Sequence, residues 1–556
     1  MLLDYQKLRF AYARASEHGL EHPAHHPVVI VGAGPVGLTC AIDLARQGVR
    51  VVVLDDDDTL STGSRAICFA KRTLEIWDRL GCGERMVEKG VSWNVGKVYF
   101  QDDLVYRFDL LEEPGHHRPA FINLQQYYVE GFLHEVASTE PNIDLRWKSK
   151  AVGLEQDGQC ATLTVETPDG TYSLTCDYVV ACDGARSTMR GMLGLKSAGH
   201  SFRDRFLIAD VKIKGDVSAR FAAERWFWFD PPFHRGQSVL LHMQPDGVWR
   251  IDFQLGWDAD PVAEREPSRV AERVKALLGD DAEFEFEWMS VYTFACVRMD
   301  RFRHGRVLFA GDAAHGVSPF GARGANSGVQ DADNLAWKLG LVLAGKAPDR
   351  LLDSYDEERV HAADENILNS TRSTDFLTPK SDISRTFRDA VLKLAREHPF
   401  ARTLVNSGRL STPATLSSSS LNTPDFYRFE GPMVPGATCL DAPITIDGQP
   451  GWLLDQLRGA FTLIHFPGGG ALPRSLAKLA GLPLPIRLVV IASDARAIDL
   501  ADAIVARDVD GHVARRYDAH PGTTYLVRPD QHVCARWRRF DVDDVRAALA
   551  HATCND

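Results

Sequence analysis

Three glycines and one carboxylate near the N-terminus have the types and spacing that could hold a phosphate-rich ligand. Gly32, Gly34 and Gly37 form a G-x-G-x-x-G pattern after an apolar stretch, and Asp55 ends the next apolar stretch. Such glycines permit a tight turn, close approach of a pyrophosphate and close helix packing, and the carboxylate accepts hydrogen bonds from ribose hydroxyls. The segment therefore predicts a dinucleotide site, with NAD and FAD both open.

Two further motifs place a carboxylate directly after an apolar stretch. One is "CDG", with Asp183, and the other is "AGD", with Asp312. A loop with glycines at 321, 324 and 328 follows the second motif, and a helical pattern starts there. A helix start opened by glycines presents free N–H groups and a positive dipole end, so we expect an anionic or electron-rich ligand beside it.

A turn and two strands bring together polar side chains that could move a proton. Arg250 and Asp252 are two residues apart in "VWRIDFQL" and therefore share one face of a strand. If "PDG" at 245–247 is a three-residue hairpin loop, His242 lies opposite Arg250. We therefore predict a cluster of His242, Arg250 and Asp252, the alternative being a solvent-facing charged strand.

The stretch "RWFWFDPPF" alternates two kinds of aromatic side chain. Trp226 and Trp228 share one face of the predicted strand, and Phe227 and Phe229 share the other. One pair could line an aromatic pocket, although packing in the core is the more common use of such residues.

The elements that position these residues alternate along the chain between α/β and strand-rich segments. We predict an α/β class, with an α+β middle domain. The predicted division is 1–26 as an N-terminal extension, 27–200 with 300–375 as a discontinuous dinucleotide-binding domain, 201–299 as a β-sheet domain, 376–430 as a helical segment and linker, and 431–556 as a small α/β domain.

Composition excludes several classes of partner. The net charge of −12 argues against nucleic acid. No apolar run approaches the roughly 18 residues of a membrane span. The ten cysteines form no CxxC motif and no metal-ligand spacing. We therefore expect a cytoplasmic protein with reduced thiols and no metal site.

Together, the glycine fingerprint, the "DG" motif and the "GD" motif carry a family resemblance. Their order and spacing resemble those of the single-component FAD-dependent aromatic monooxygenases, in particular the phenol hydroxylase-like branch. The resemblance runs from residue 27 to the C-terminus. It implies a Rossmann-type FAD-binding domain, a β-sheet substrate domain and a C-terminal thioredoxin-like domain. The C-terminal domain lacks CxxC and Cys534 has no near partner in the sequence, so we expect a structural role, with a homodimer open.

The resemblance also assigns residues to FAD. These are Gly32, Gly34 and Gly37 for the pyrophosphate, Asp55 for the adenosine ribose, Arg65 near the pyrophosphate, Gln126 near the ribityl chain, Asp183 for FAD and nicotinamide, Asp312 for a ribityl hydroxyl, and Gly324, Ala325 and Asn326 beside the flavin ring. Gln125 is the alternative to Gln126, and a structural turn is the alternative for Asp183. His315 is more simply a packing residue than a catalytic base.

The activity that this resemblance implies is hydroxylation of an aromatic ring. NADH or NADPH reduces FAD, and a flavin hydroperoxide formed with O2 then hydroxylates a phenol or related compound. Arg250 would position flavin or substrate, and Asp252 or His242 would accept the phenolic proton. Asp252 replaces a tyrosine of the family and Ile67 replaces an acid, so we expect a substituted phenol rather than phenol itself.

Three other functions remain open from the sequence. The first is hydroxylation with displacement of a nitro, halogen or carboxyl group. The second is FAD-dependent halogenation, although "WFWFDPP" lacks the end of the usual "WxWxIP" motif. The third, a non-enzymatic FAD-binding module, fits poorly with a separate substrate sheet.

Overall fold

The structure is a computed structural model that describes residues 5–63, 66–215, 221–405, 410–468, 472–492 and 503–556. Arg65, one of the predicted FAD contacts, lies outside these residues. The strands, numbered β1 to β28 in chain order, are Ala24–Val31, Val51–Leu54, Cys68–Ala70, Val91–Trp93, Val95–Phe100, Asp103–Asp109, Phe121–Asn123, Ile143–Arg146, Lys150–Gln156, Ala161–Thr167, Gly170–Ala181, Ser197–Ser201, Arg205–Ile213, Arg225–Phe229, Ser238–Met243, Val248–Leu255, Phe284–Tyr292, Ala295–Met299, Arg303–His304, Val307–Phe309, His315–Gly316, Pro443–Ile446, Gln449–Trp452, Phe461–Gly468, Ile486–Ala492, Ala503–Arg507, Thr524–Val527 and Val533–Trp537. The helices, α1 to α13, are Pro35–Arg46, Lys71–Arg79, Gly83–Lys89, Gln126–Thr139, Thr188–Met192, Pro267–Leu278, Gly324–Leu343, Asp353–Leu377, Asp382–Glu397, Pro399–Arg402, Leu453–Gln456, His512–Arg516 and Val542–Ala552.

A mostly parallel sheet carries the glycine fingerprint. Its order is β19-β20-β11-β1-β2-β8, and β10 and β9 extend it from β11. Helix α1 connects β1 to its parallel neighbour β2, as a βαβ unit requires. Because parallel strands end at the same edge, Gly32 after β1 and Asp55 after β2 meet there; the Gly32 N–H donates to Leu54 O at 2.7 Å.

A second large sheet, with the order β17-β13-β16-β15-β14-β5-β6, carries the predicted proton-moving residues. Helix α6 packs on one face, where Trp228, Trp249 and Phe253 form part of an apolar core. Strands β5 and β6 belong to this sheet although they precede residue 201, the predicted start of the β-sheet domain. Strand β5 joins by pairing in parallel with β14, a long-range contact that local sequence patterns do not encode.

The C-terminal unit is a mixed sheet with the order β23-β22-β26-β25-β24-β27-β28. Helix α13 packs on one side through Val545 and Leu549, in a cluster that also contains Cys534. All ten cysteines of the chain are free, and Cys534 is fully buried. This unit contacts the parallel sheet unit through Arg72 of α2, whose guanidinium donates to the Gln531 side chain at 2.7 Å.

The residues before β1 pack against the parallel sheet unit. The Tyr5 ring is buried and lies where a side chain on Gly131 of α4 would stand. Glu17 forms a buried ion pair with Arg146 of β8 at 2.7 Å. The predicted N-terminal extension is thus tied down by packing and charge. Within the described ranges, every helix is too short or too polar to cross a bilayer.

Candidate active site

Two of the three fingerprint glycines, Gly32 and Gly37, have no room for a side chain, whereas Gly34 has room for one. A Cβ on Gly32 would lie 2.5 Å from Cys182 O, and one on Gly37 would lie 1.9 Å from Gly32 O. Gly32 also has φ +106°, which favours glycine. A Cβ on Gly34 would meet no atom of the described residues within 4 Å. Gly34 therefore borders the space into which a pyrophosphate could approach the backbone.

Asp55 holds the fingerprint loop through its carboxylate. Its Oδ2 accepts a hydrogen bond from the Ala33 N–H at 2.6 Å, and its Oδ1 accepts one from the Asp57 N–H at 2.9 Å. Burial raises the pKa of Asp55, while these two bonds act in the opposite direction. Each carboxylate oxygen has a second lone pair, so Asp55 can accept a ribose hydroxyl while it keeps the loop in place.

The two glutamines at the start of α4 make different contacts. Gln126 accepts from the Ala66 N–H at 3.1 Å and donates to Ser61 Oγ at 3.0 Å and Glu130 Oε1 at 2.8 Å, so it holds Ser61 and Ala66 in place. Gln125 donates to Pro245 O at 3.2 Å, and its Oε1 is buried with no hydrogen-bond partner within the described residues. The geometry therefore keeps both residues near the predicted site and selects neither.

Asp312 stands at the entrance to helix α7. Its side chain is exposed, and Oδ1 lies 4.0 Å from the Cβ position of Gly324, the first residue of the helix. The first N–H groups of a helix have no partner in a preceding turn, so they can donate hydrogen bonds to a ligand at the helix start. Asp312 and the start of α7 can thus hold a polyol and an electron-rich group side by side.

His315 and Asn326 both form side-chain hydrogen bonds within the protein, although Nδ1 of His315 is buried with no partner among the described residues. His315 is buried, and its Nε2 is 2.7 Å from Asp331 Oδ2, which agrees with a packing role. The Asn326 side chain donates to Cys68 O at 2.9 Å and accepts from the Ala70 N–H at 2.8 Å. Asn326 therefore anchors α7 to β3, and its backbone N–H is the group that remains for a ligand. Gly328 serves packing too, because a Cβ there would lie 2.7 Å from Val36.

The two carboxylate oxygens of Asp183 differ in their hydrogen bonding. Its Oδ2 accepts from the Met189 N–H at 3.0 Å, as a turn residue would. Its Oδ1 is buried and has no partner within the described residues. Nearby, Arg190 donates to Ala313 O at 2.8 Å and so ties this loop to the loop of Asp312. A bound FAD would use four features of this site. They are the unpaired Oδ1 of Asp183, the open space beside Gly34, the exposed carboxylate of Asp312 and the N–H groups at the start of α7.

The predicted hairpin on the second sheet is confirmed. The Gln244 N–H donates to Val248 O at 2.7 Å, and His242 lies opposite Arg250. All of β16 is buried, so the alternative of a solvent-facing charged strand is wrong. Arg250 binds Asp210 of β13 through two bonds of 2.7 Å, and its guanidinium is 5.5 Å from the centre of the Trp288 ring.

His242 and Asp252 lie close together, and both side chains are buried. His242 Nε2 is 3.9 Å from Asp252 Oδ2, and neither ring nitrogen of His242 has a hydrogen-bond partner within the described residues. Burial lowers the pKa of His242 well below its ordinary value, and Arg225 and Arg250 lower it further, so the ring is neutral. Burial raises the pKa of Asp252 to about 6. Asp252 is therefore the better proton acceptor of the two near neutral pH.

An aromatic cavity lies on the same sheet face as these residues. Five phenylalanines line it, two from β14, one from β6, one from the loop before α7 and one from α8, namely Phe227, Phe229, Phe108, Phe320 and Phe376. The empty space, including its open mouth, is about 520 Å³. Trp226 and Trp228 pack in the core beside α6 on the other face, so the phenylalanine pair is the one that faces the cavity. Arg250, Asp252 and His242 do not line the cavity, but Asp252 pairs with Leu240, which does.

Sequence reasoning missed Arg225 and Cys68. Arg225 lines the cavity and donates from Nη1 to Cys68 Sγ at 2.8 Å. The Cys68 thiol in turn donates to Asn123 Oδ1 at 3.1 Å, and burial raises its pKa. The period of two on β14 was a usable signal for Arg225, since it shares a face with Phe227 and Phe229. No local pattern relates Cys68 to this strand.

Comparisons with known proteins identify the family of the chain. The family model described as "FAD binding domain" matches residues 25–370. The 6-methylpretetramide 4-monooxygenase of Streptomyces rimosus is 31% identical over 94% of this chain and 92% of its own length. The 3-(3-hydroxy-phenyl)propionate/3-hydroxycinnamic acid hydroxylase of Burkholderia cenocepacia is 28% identical over 94% of this chain and 96% of its own length. The crystal structure of the flavin-dependent monooxygenase PieE with FAD and substrate has a similar fold, with a TM-score of 0.81, 22% identity and coverage of 96% of this chain and 100% of PieE.

The match over more than half of the chain, together with the full-length relatives, defines the class. The chain belongs to the FAD binding domain family and is a flavin-dependent monooxygenase of the hydroxylase type.

Proposed function

We propose that this protein uses NADH or NADPH and O2 to hydroxylate a substituted phenol or a related aromatic compound in the phenylalanine-lined cavity. The observation that carries the proposal is the position of that cavity. It lies between the sheet face of Asp252 and the loop of Phe320 and Gly321, which leads into the start of α7. An aromatic ring in this cavity would be flanked by apolar side chains that exclude water from the reaction.

The chain's own residues would bind the cofactor and control one proton. Bound FAD, once reduced by the nicotinamide, would activate O2, so that one oxygen atom enters the ring and the other leaves as water. Gly34 leaves room for the pyrophosphate, Asp312 accepts a ribityl hydroxyl, and the first N–H groups of α7 favour negative charge on the flavin ring. Asp252 accepts the phenolic proton, and the resulting phenolate ring is more electron-rich. Arg250 is held by two hydrogen bonds to Asp210, and its positive charge stabilises the Asp252 carboxylate on the same strand.

The relatives support a hydroxylated aromatic substrate without fixing its size. One is named for 6-methylpretetramide and the other for 3-(3-hydroxy-phenyl)propionate and 3-hydroxycinnamic acid. We propose residues 27–200 without β5 and β6, together with 300–375, as the FAD-binding domain, and 201–299 together with β5 and β6 as the substrate-binding domain. We propose a thioredoxin-like C-terminal domain with a structural role, because burial raises the pKa of Cys534 to about 12 and leaves it protonated.

A substrate panel tests the proposed function. The FAD-loaded protein is mixed with NADH or NADPH and with phenols, naphthols, hydroxyanthraquinones and hydroxyphenyl acids. We expect at least one aromatic to accelerate nicotinamide oxidation and to gain one oxygen by mass. Loss of a ring substituent in the product would establish displacement, and a chlorinated product that requires chloride would establish halogenation. Nicotinamide oxidation that no aromatic accelerates would contradict the proposal.

A further inference from the structure

Arg225 is a buried cation that forms no ion pair with a carboxylate of the described residues. The residue is 6% exposed, and its hydrogen bond is to the neutral thiol of Cys68. Its Nε is buried and unbonded, and no carboxylate of the described residues forms an ion pair with it. A buried guanidinium without a hydrogen-bonded ion-pair partner is costly unless something else supplies that partner. The arrangement therefore points to an anion that comes from outside the chain.

Neither of the two nearest carboxylates in the sheet forms an ion pair with Arg225. Asp210 binds Arg250 with both oxygens at 2.7 Å, and turning it toward Arg225 would leave Arg250 unpaired. Asp252 lies on the same sheet face and its charge acts on Arg225 through space, but the basic side chain within 4 Å of it is His242, at 3.9 Å.

The position of Arg225 in the cavity shows what kind of molecule could reach it. Among the described residues that line the cavity, Arg225 has the single charged side chain. Its guanidinium is 5.5 Å from the Phe227 ring centre and 5.6 Å from the Trp93 ring centre. The backbone of Cys68 accepts a hydrogen bond from Asn326 of α7. Arg225 thus stands at the end of the aromatic cavity that adjoins the start of α7.

We propose that Arg225 binds an acidic oxygen of the aromatic substrate, a carboxylate or a phenolate, and thereby selects substrates that carry such a group. The inference rests on the proposed function and names its substrate class. A guanidinium pairs with a carboxylate through two parallel N–H···O bonds and with a phenolate through one charge-assisted bond. Cys68 is a positioning residue, because its sulfur holds Nη1 and fixes the plane of the guanidinium.

Matched ligand pairs test the proposal on the FAD-loaded, oxidised enzyme. 3-Hydroxy-2-naphthoate is compared with 3-hydroxy-2-naphthamide for the carboxylate, and 2-naphthol with 2-methoxynaphthalene for the phenolate. Dissociation constants come from the change in the flavin absorption spectrum. We expect the acidic member of at least one pair to bind about 10-fold or more tightly than its neutral partner, as a desolvated charge-assisted bond should provide. The pair that shows the preference identifies the acidic oxygen.

Variants then assign the preference to Arg225. Arg225→Gln should reduce the ratio of dissociation constants to about 1, and Arg225→Lys should leave an intermediate ratio because lysine keeps the charge but loses the planar fork. Arg118→Gln is the matched control, since Arg118 is also buried but is paired with Asp78. It should leave the ratio unchanged. If Arg225→Gln fails to bind FAD, the ratios of dissociation constants measured for the wild type and for Arg225→Lys test the role of Arg225 instead.

The outcomes separate this inference from the proposed function. Equal binding of charged and neutral partners to the wild type, or an undiminished ratio in Arg225→Gln, overturns the role of Arg225. If neutral aromatics are nevertheless hydroxylated, the proposed function stands without it. If no aromatic perturbs the flavin or accelerates nicotinamide oxidation, both fail.

Discussion

Two buried charge clusters of this protein differ in how completely their polar groups are paired. The first, the interface cluster, consists of Asn334, Lys338, Glu358, Arg528 and Asp530, and joins the parallel sheet unit to the C-terminal unit. Glu358 accepts from Lys338 at 2.7 Å, from Asn334 at 2.6 Å and from Arg528 at 2.5 Å. Arg528 also binds Asp530 at 2.5 Å and 2.9 Å. Every side-chain nitrogen and oxygen that is buried in this cluster has a partner.

The second, the cavity cluster, consists of Arg225, His242, Arg250 and Asp252, and its pairing is incomplete. The Nε of Arg225 and both ring nitrogens of His242 are buried without partners within the described residues. Both clusters are buried, with exposed fractions of 0–1% in the interface cluster and 2–7% in the cavity cluster, so solvent does not satisfy the unpaired groups of either. A saturated network stabilises the folded chain, whereas unsatisfied groups cost stability and are retained where a ligand completes them. Completeness of pairing is therefore what separates the interface cluster from the cavity cluster.

The largest expected effect is on the interface cluster. Glu358→Gln removes the charge that Lys338 and Arg528 share, and we expect it to lower the free energy of unfolding by about 3–5 kcal/mol, because a buried pair loses one partner. Chemical denaturation of the FAD-loaded protein measures this. Arg396→Ala, which breaks the exposed ion pair with Asp103, is the control and should cost at most about 1 kcal/mol. Equal losses in the two variants would remove the distinction.

Asp252→Asn should reduce turnover rather than stability. We expect kcat at pH 8 to fall about 100-fold, because the phenolic proton loses its acceptor. Since burial raises the pKa of Asp252 to about 6, the wild-type rate should fall as the pH drops through 6, where the carboxylate becomes protonated. The variant should lose this acidic limb. Asp258→Asn, on an exposed loop after the same strand, should keep the wild-type rate and pH profile.

The smallest expected effect concerns two buried histidines. His242→Leu should change the free energy of unfolding by no more than about 1 kcal/mol, because it removes two unsatisfied nitrogens, whereas His315→Leu should cost about 2–3 kcal/mol by depriving Asp331 of a partner. Thermal and chemical unfolding of both variants measure the difference. A loss in His242→Leu as large as that in His315→Leu would place His242 in the structural class.

The sequence by itself determined the elements whose signals are local. The G-x-G-x-x-G turn, the acid at the end of β2 and the register of the 245–247 hairpin follow from glycine geometry, strand period and turn chemistry, all of which act within a few tens of residues. The motif set was therefore enough to identify the family, and the hairpin was enough to bring His242 opposite Arg250.

Only the tertiary structure decided which groups are paired. It placed β5 beside β14, turned the phenylalanines rather than the tryptophans toward the cavity, and joined Asp210 to Arg250. It also left Arg225 with a thiol instead of a carboxylate. The physical reason is that pairing and burial depend on segments far apart in the chain, whose approach is fixed by packing and not by the pattern of any one segment.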